Sequence, residues 1–211
     1  MPGSKKVHVS GVHEEDVASL IGCLVYKLGL DMPSLEALEK AGSHAYADIP
    51  RYLANKNLQP SFYTKQNLCE VIGKYLSFHL FSGRTYLPTD NPQIADTILL
   101  LVGITSPEQE VIKFLQSWVS RAESCHNTKL VVLVGKMEQI HWSASKYDQL
   151  LSTIESHLQH ERLVDVLFIP ISIADGNNLL ENSEKLMSFR RRIGPGAQDA
   201  GPQSLVDAID A

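Results

Sequence analysis

The sequence predicts an α/β protein, a mostly parallel sheet with helices on both faces. Three observations carry this. The runs DTILLLV (96–102), KLVVLV (129–134) and VDVLFI (164–169) are near-continuously apolar, as in strands covered on both sides. Between them lie segments whose apolar residues recur at intervals of three and four, as on one face of a helix. Strand and helix alternate along the chain, the pattern left by crossover connections.

The elements follow in order. A short strand over 7–10 is closed by Gly11. Val17, Leu20, Ile21, Leu24, Val25 and Leu28 predict a helix over 14–28, and Gly29 is placed to stop it. Pro33 and Ser34 open a second helix that ends near Ala41. Segment 42–60 is helical in part, with Pro50 working against a long helix. Residues 67–72 and 74–81 read as two strands around Gly73, a hairpin. Segment 82–94 holds a glycine and two prolines and reads as a loop or a short helix. A helix over 108–122 puts Val111, Ile112, Leu115 and Val119 on one face. A helix over 145–160 starts with the S-x-x-D box of Ser145 and Asp148. Tyr147, Leu150, Leu151, Ile154 and Leu158 form its inward stripe. Residues 194–202 make a flexible Gly/Pro connection, and 205–209 a closing helix.

A chain of 211 residues suits one large α/β domain, or two small ones, and is long enough to bury a substantial core. The net charge of −5 argues against a broad electrostatic grip on nucleic-acid phosphates. Cys23, Cys69 and Cys125 are odd in number and lack a CxxC spacing, which argues against a disulfide or zinc framework and for a reducing compartment. The start, MPGSKKVHV, lacks the apolar run of a signal peptide. No stretch approaches the roughly 20 apolar residues of a membrane span. The expectation is a soluble, cytoplasmic protein without a membrane partner.

In sheets of this kind ligands sit beyond the strand C-termini, here the loops after Ser10, Phe81, Val134 and Ile169. Stretches in and around these loops carry a resemblance. Residues 22–29 (GCLVYKLG) resemble the GHLIYKCG that follows the phosphate loop of one family. Lys74-Tyr75 matches its KYY, 95–102 (ADTILLLV) its ADCAVLIV, 166–179 (VLFIPISIADGNNL) its VAFVPISGWNGDNM, and 204–209 (SLVDAI) its TLLEAL. The family is the elongation factor 1-alpha family of translational GTPases, which includes the release-factor and ribosome-rescue GTPases. The resemblance to its G domain implies a P-loop-GTPase-like, mostly parallel six-stranded sheet formed by residues 1–211 as a single domain. The family carries two β-barrel domains after its G domain. This chain stops where they would begin, and the sequence leaves open whether it is an excised domain or a natural short form.

The nucleotide motifs are degenerate against that family. Its phosphate loop GHVDSGKST aligns with 11–19, GVHEEDVAS. Gly11 is kept, and Ser19 keeps a hydroxyl at the end of the loop. The second glycine becomes Asp16, the lysine Val17 and the magnesium-binding serine Ala18. That lysine normally reaches the β- and γ-phosphates, and the hydroxyl holds Mg²⁺. Glu14, Glu15 and Asp16 bring three carboxylates to the phosphate position. One unit-charge repulsion at about 6 Å, with an effective dielectric of about 20, costs roughly 3 kcal/mol. Two or three such terms rival the roughly 8 kcal/mol of a micromolar affinity. On a plainer reading the acids are the solvated first turn of a helix, complementing its dipole. In switch one, Phe62 stands at the Mg²⁺-coordinating threonine, with Ser61 and Thr64 within a residue or two. In switch two, DAPGH becomes FSGRT, with Phe81, Arg84 and Thr85 at the Asp, Gly and water-positioning His.

The base-reading loops are better kept. NKMD becomes GKME, with Gly135 for Asn, Glu138 for Asp, and Lys136 and Met137 unchanged. Ser172 and Ile173 stand at the family's SG[WL]. No catalytic residue and no metal ligand is assigned. No cofactor is expected, weak GTP or GDP binding stays open, and Mg²⁺ is not expected. The reading is a pseudo-GTPase, an interaction module whose partners are translation or RNA-surveillance factors, with ribosome or RNA contact open. Two alternatives stand beside it: a GTP-binding factor with an atypical, weakly hydrolytic site, and an unrelated regulatory role on the same fold. The run Arg190-Arg191-Arg192 reads as solvated, or as a contact to RNA or an acidic partner. His157 and His160 read as surface residues, Trp118 as packing, and Trp142 as a candidate for a contact surface.

Overall fold

A computed structural model of the chain describes residues 3–42, 45–72, 95–122, 128–158, 166–189, 192–193 and 203–211. The strands are β1 (Gly3–Gly11), β2 (Ser61–Tyr63), β3 (Asn67–Ile72), β4 (Thr97–Gly103), β5 (Lys129–Gly135), β6 (Val166–Pro170) and β7 (Arg192–Ile193). The helices are α1 (Glu14–Leu28), α2 (Met32–Lys40), α3 (Asp48–Asn55), α4 (Glu108–Ala122), α5 (Ala144–Leu158) and α6 (Leu205–Asp210). One sheet runs in the order β2-β3-β1-β4-β5-β6-β7. From β3 through β6 all neighbours are parallel, while β2 and the two-residue β7 lie antiparallel at the edges. The expected six-stranded, mostly parallel sheet is thus present, with β7 added as a short seventh strand.

Alternation along the central strands divides the core in two. Leu99 and Leu101 of β4 join Val7, Val9 and Leu133 on one face, under α1, Leu38 of α2, Ile49 and Leu53 of α3, and Leu205 and Ile209 of α6. Ile98, Leu100 and Val102 join Val132, Val134 and Phe168 on the other, under α4 and α5. Every residue of β4 is buried, which is why its sequence shows no polar alternation. Trp118 is 6% exposed and packs in the second core, its ring 4.8 Å from that of His8. Among the described residues no helix is long and apolar enough to cross a membrane.

Two local expectations change, and others fall outside the described residues. The strand predicted over 7–10 begins at Gly3, because Gly3 to Glu70-paired Lys6 are held by backbone pairing with β3 rather than by an apolar pattern. The antiparallel neighbour of β3 is β2, which precedes it, and the second strand of the expected hairpin, 74–81, falls outside the described residues. Residues 74–81, 82–94 and 194–202, with Cys125, His160, Arg190 and Arg191, lie outside the described residues. The box predicted at Ser145 and Asp148 is displaced, since α5 begins at Ala144. Ser143 stands before it, its Oγ 3.5 Å from the Lys146 N–H and its carbonyl accepting from Tyr147 N–H at 3.2 Å. The reciprocal box belongs instead to Ser204 and Asp207 at the start of α6. Pro50 is the third residue of α3, where its missing N–H has no intrahelical acceptor to lose, so the helix tolerates it.

Candidate functional site

Only Val12 and His13 separate β1 from α1. A Cβ on Gly11 would stand 2.7 Å from Val17 Cγ2 and 2.9 Å from the Leu101 carbonyl oxygen, so only glycine lets strand and helix approach this closely. His13 is the extended N-cap and makes no side-chain cap; its Nε2 lies 3.3 Å from Ser106 Oγ. Because α1 begins at Glu14, the aligned positions 14–19 are helical. Glu14, Glu15 and Asp16 form the first turn, where negative charge complements the helix dipole. Val17 (3% exposed) and Ala18 (1%) face inward, and Val17 is part of the first core. Ser19 Oγ donates to the Glu15 carbonyl at 2.9 Å, a bond internal to the helix.

Beyond β5 the chain turns through Lys136, whose φ of 64° is left-handed, into a 3-10 turn over Met137–Ile140. A Cβ on Gly135 would come within 3.2 Å of Leu101 Cδ1, tight for anything larger. Lys136 Nζ lies 2.6 Å from Asp16 Oδ2, joining this turn to the first turn of α1. Met137 is wholly buried in the second core. Glu138 is half-buried, and its Oε2 is out of solvent with no hydrogen-bond partner. After β6, Ser172 is wholly buried; its Oγ accepts from Asp175 N–H at 3.1 Å, and its own N–H donates to the Asn177 carbonyl at 3.3 Å.

These pieces enclose a cleft of about 330 Å³. Glu15, Asp16 and Ser19 line it from α1, Gly135, Lys136 and Glu138 from the turn after β5, and Ile173 and Ala174 from the loop after β6. Leu101, Val102 and Gly103 contribute the end of β4, and Ala45, Tyr46 and Ala47 close another side. Half of the described residues singled out from the sequence therefore converge on the cleft: Glu15, Asp16, Ser19, Gly135, Lys136, Glu138 and Ile173. Gly11, Val17, Ala18, Met137 and Ser172 do not line the cleft, and neither does Glu14, which is exposed. Phe62, read as a switch residue, is wholly buried in β2 and belongs to the first core. Thr64 is also spoken for: its hydroxyl bonds Asp210 Oδ1 and shapes the β2–β3 turn with Asn67. Phe81, Arg84 and Thr85 lie outside the described residues. Among those described, no group of three or more His, Cys, Asp or Glu is arranged to hold a metal.

Sequence reasoning missed Tyr46. A Cβ on Gly22 would stand 1.8 Å from the Tyr46 carbonyl oxygen, so the segment at 45–47 lies directly on α1. The Tyr46 and Tyr26 rings are 5.7 Å apart. Burial pushes the Cys23 thiol up, while nearby Lys27 and a hydrogen bond with Tyr46 pull it down. The available signal was Gly22 itself, a glycine inside an otherwise strong helix, which marks a close backbone approach. Trp142 is half-buried, its ring 6.1 Å from Phe189 with Lys185 Nζ 4.8 Å above it, so packing accounts for much of it.

Sheet order, helical layers and the position of the cleft together define a P-loop-GTPase-like α/β fold. No protein-family model matches the chain, and no curated protein does. Solved structures do match. One is of sup35 complexed with GMPPNP, at a TM-score of 0.62 and 16% identity, covering 100% of this chain and 45% of that one. Another is of sup35 complexed with GDP, at 0.61 and 17%, with the same 100% and 45% coverage. At this identity the likeness is one of fold, and the chain spans about half the length (45%) of the chains it matches.

Proposed function

We propose that this chain is a degenerate translational-GTPase-like domain, a pseudo-GTPase, that serves as an interaction module in translation, ribosome rescue or mRNA surveillance in the cytoplasm. The observation that carries the reading is the Asp16–Lys136 ion pair. In a working phosphate loop a glycine lets backbone N–H groups approach the phosphates, the next lysine neutralises them and a hydroxyl holds Mg²⁺. Here Asp16 occupies the glycine position and engages the lysine of the base-reading turn. Val17 and Ala18, at the next two positions, are buried apolar residues. The cleft entrance thus carries an internal ion pair in place of groups that attract phosphate, and Glu14 and Glu15 beside it repel anions. The fold needs no nucleotide to settle this loop. Binding of protein partners, with RNA contact secondary, is the function left to such a scaffold. The sup35 structures were solved with GMPPNP and GDP, so nucleotide binding is the contrasting expectation.

Calorimetric titration with GDP and GTP, with and without Mg²⁺, tests this. The expected result is no heat up to millimolar nucleotide. Micromolar, Mg²⁺-dependent binding would overturn the reading in favour of an atypical GTP-binding factor. Pull-down from cytosolic extract tests the partner class, and recovery of neither ribosomes nor release-factor-like proteins would remove the translation assignment.

A further inference from the structure

We draw no further inference here: the strongest candidate, the exposed apolar side chains of Tyr26, Met32, Leu58 and Tyr63 that flank, along the chain, the contact of Gly29 with Ser61 at the β2 edge of the sheet, carries none, because nothing in the structure shows what covers it.

Discussion

Asp16 Oδ2 and Lys136 Nζ stand 2.6 Å apart, so the first turn of α1 is fastened to the turn that follows β5. Their side chains are 22% and 33% exposed, which keeps the pair partly in contact with water. A pair in this setting contributes about 0.5–1 kcal/mol, less in high salt. The double-mutant cycle of Asp16→Ala and Lys136→Ala should therefore give a coupling of about that size by urea denaturation. Raising the ionic strength should shrink it. A coupling of zero at low salt would mean the contact is incidental and would remove the main support for the scaffold reading.

Val17 stands where the phosphate-binding lysine of the resembled family would be, but it faces the first core at 3% exposure. Val17→Lys should then act as the burial of an unpaired charge and destabilise by about 3 kcal/mol or more. It should cost more than Val17→Ala, and it should bring no affinity for GDP. A Val17→Lys protein of unchanged thermal stability would show that the side chain has access to the cleft. The core placement of this position would then be wrong.

Tyr46 lines the other wall of the cleft and rests on Gly22 of α1. A methyl group at Gly22 meets the Tyr46 carbonyl oxygen at 1.8 Å, which either α1 or the segment at 45–47 must move to relieve. Overpacking of this kind costs about 1–3 kcal/mol, against a helix-propensity gain near 1 kcal/mol for replacing glycine with alanine. The net cost of about 0–2 kcal/mol means that Gly22→Ala should lower the melting temperature by up to roughly 8 °C, given about 2–4 °C per kcal/mol for a chain of this size. A rise in the melting temperature, the ordinary result for glycine to alanine in a helix, would contradict the close approach.

Much of this was legible in the sequence, for specific reasons. Helix α1 came out at its observed limits because Val17, Leu20, Ile21, Leu24, Val25 and Leu28 repeat at helical spacing and Gly29 ends it. Strands β4, β5 and β6 were found because burial on both faces leaves an unbroken apolar run. The start of β1 was not, because Gly3 and Lys6 owe their strand conformation to partners distant in sequence. The cleft was legible as a set of loops but not as an electrostatic arrangement. GKME shows a lysine and a carboxylate, yet not that Lys136 turns to Asp16 and that Glu138 keeps an unpartnered oxygen. Phe62 shows a related limit, since motif alignment places a residue along the chain but not on a strand face.

Cys69 gives the pH dependence a sign. It lies wholly buried in β3, and burial raises its thiol from 9.0 to about 11, with the charge of Asp210 adding to the rise and a hydrogen bond with Thr64 opposing it. The folded protein thus favours the neutral thiol beyond the point at which an unfolded chain would lose the proton. The resulting contribution is fully present below pH 9.0 and is lost as pH rises towards about 11. Cys69→Ala removes packing at every pH but also removes this ionisation. The stability difference between the native protein and Cys69→Ala, from urea curves, should therefore narrow from below pH 9.0 to about pH 11. The native thiol should also resist alkylation until the chain unfolds, because the thiolate is the reactive form. A difference that stays constant across that range, or rapid alkylation of Cys69 in the folded protein, would place this strand in contact with solvent and contradict its position inside the sheet.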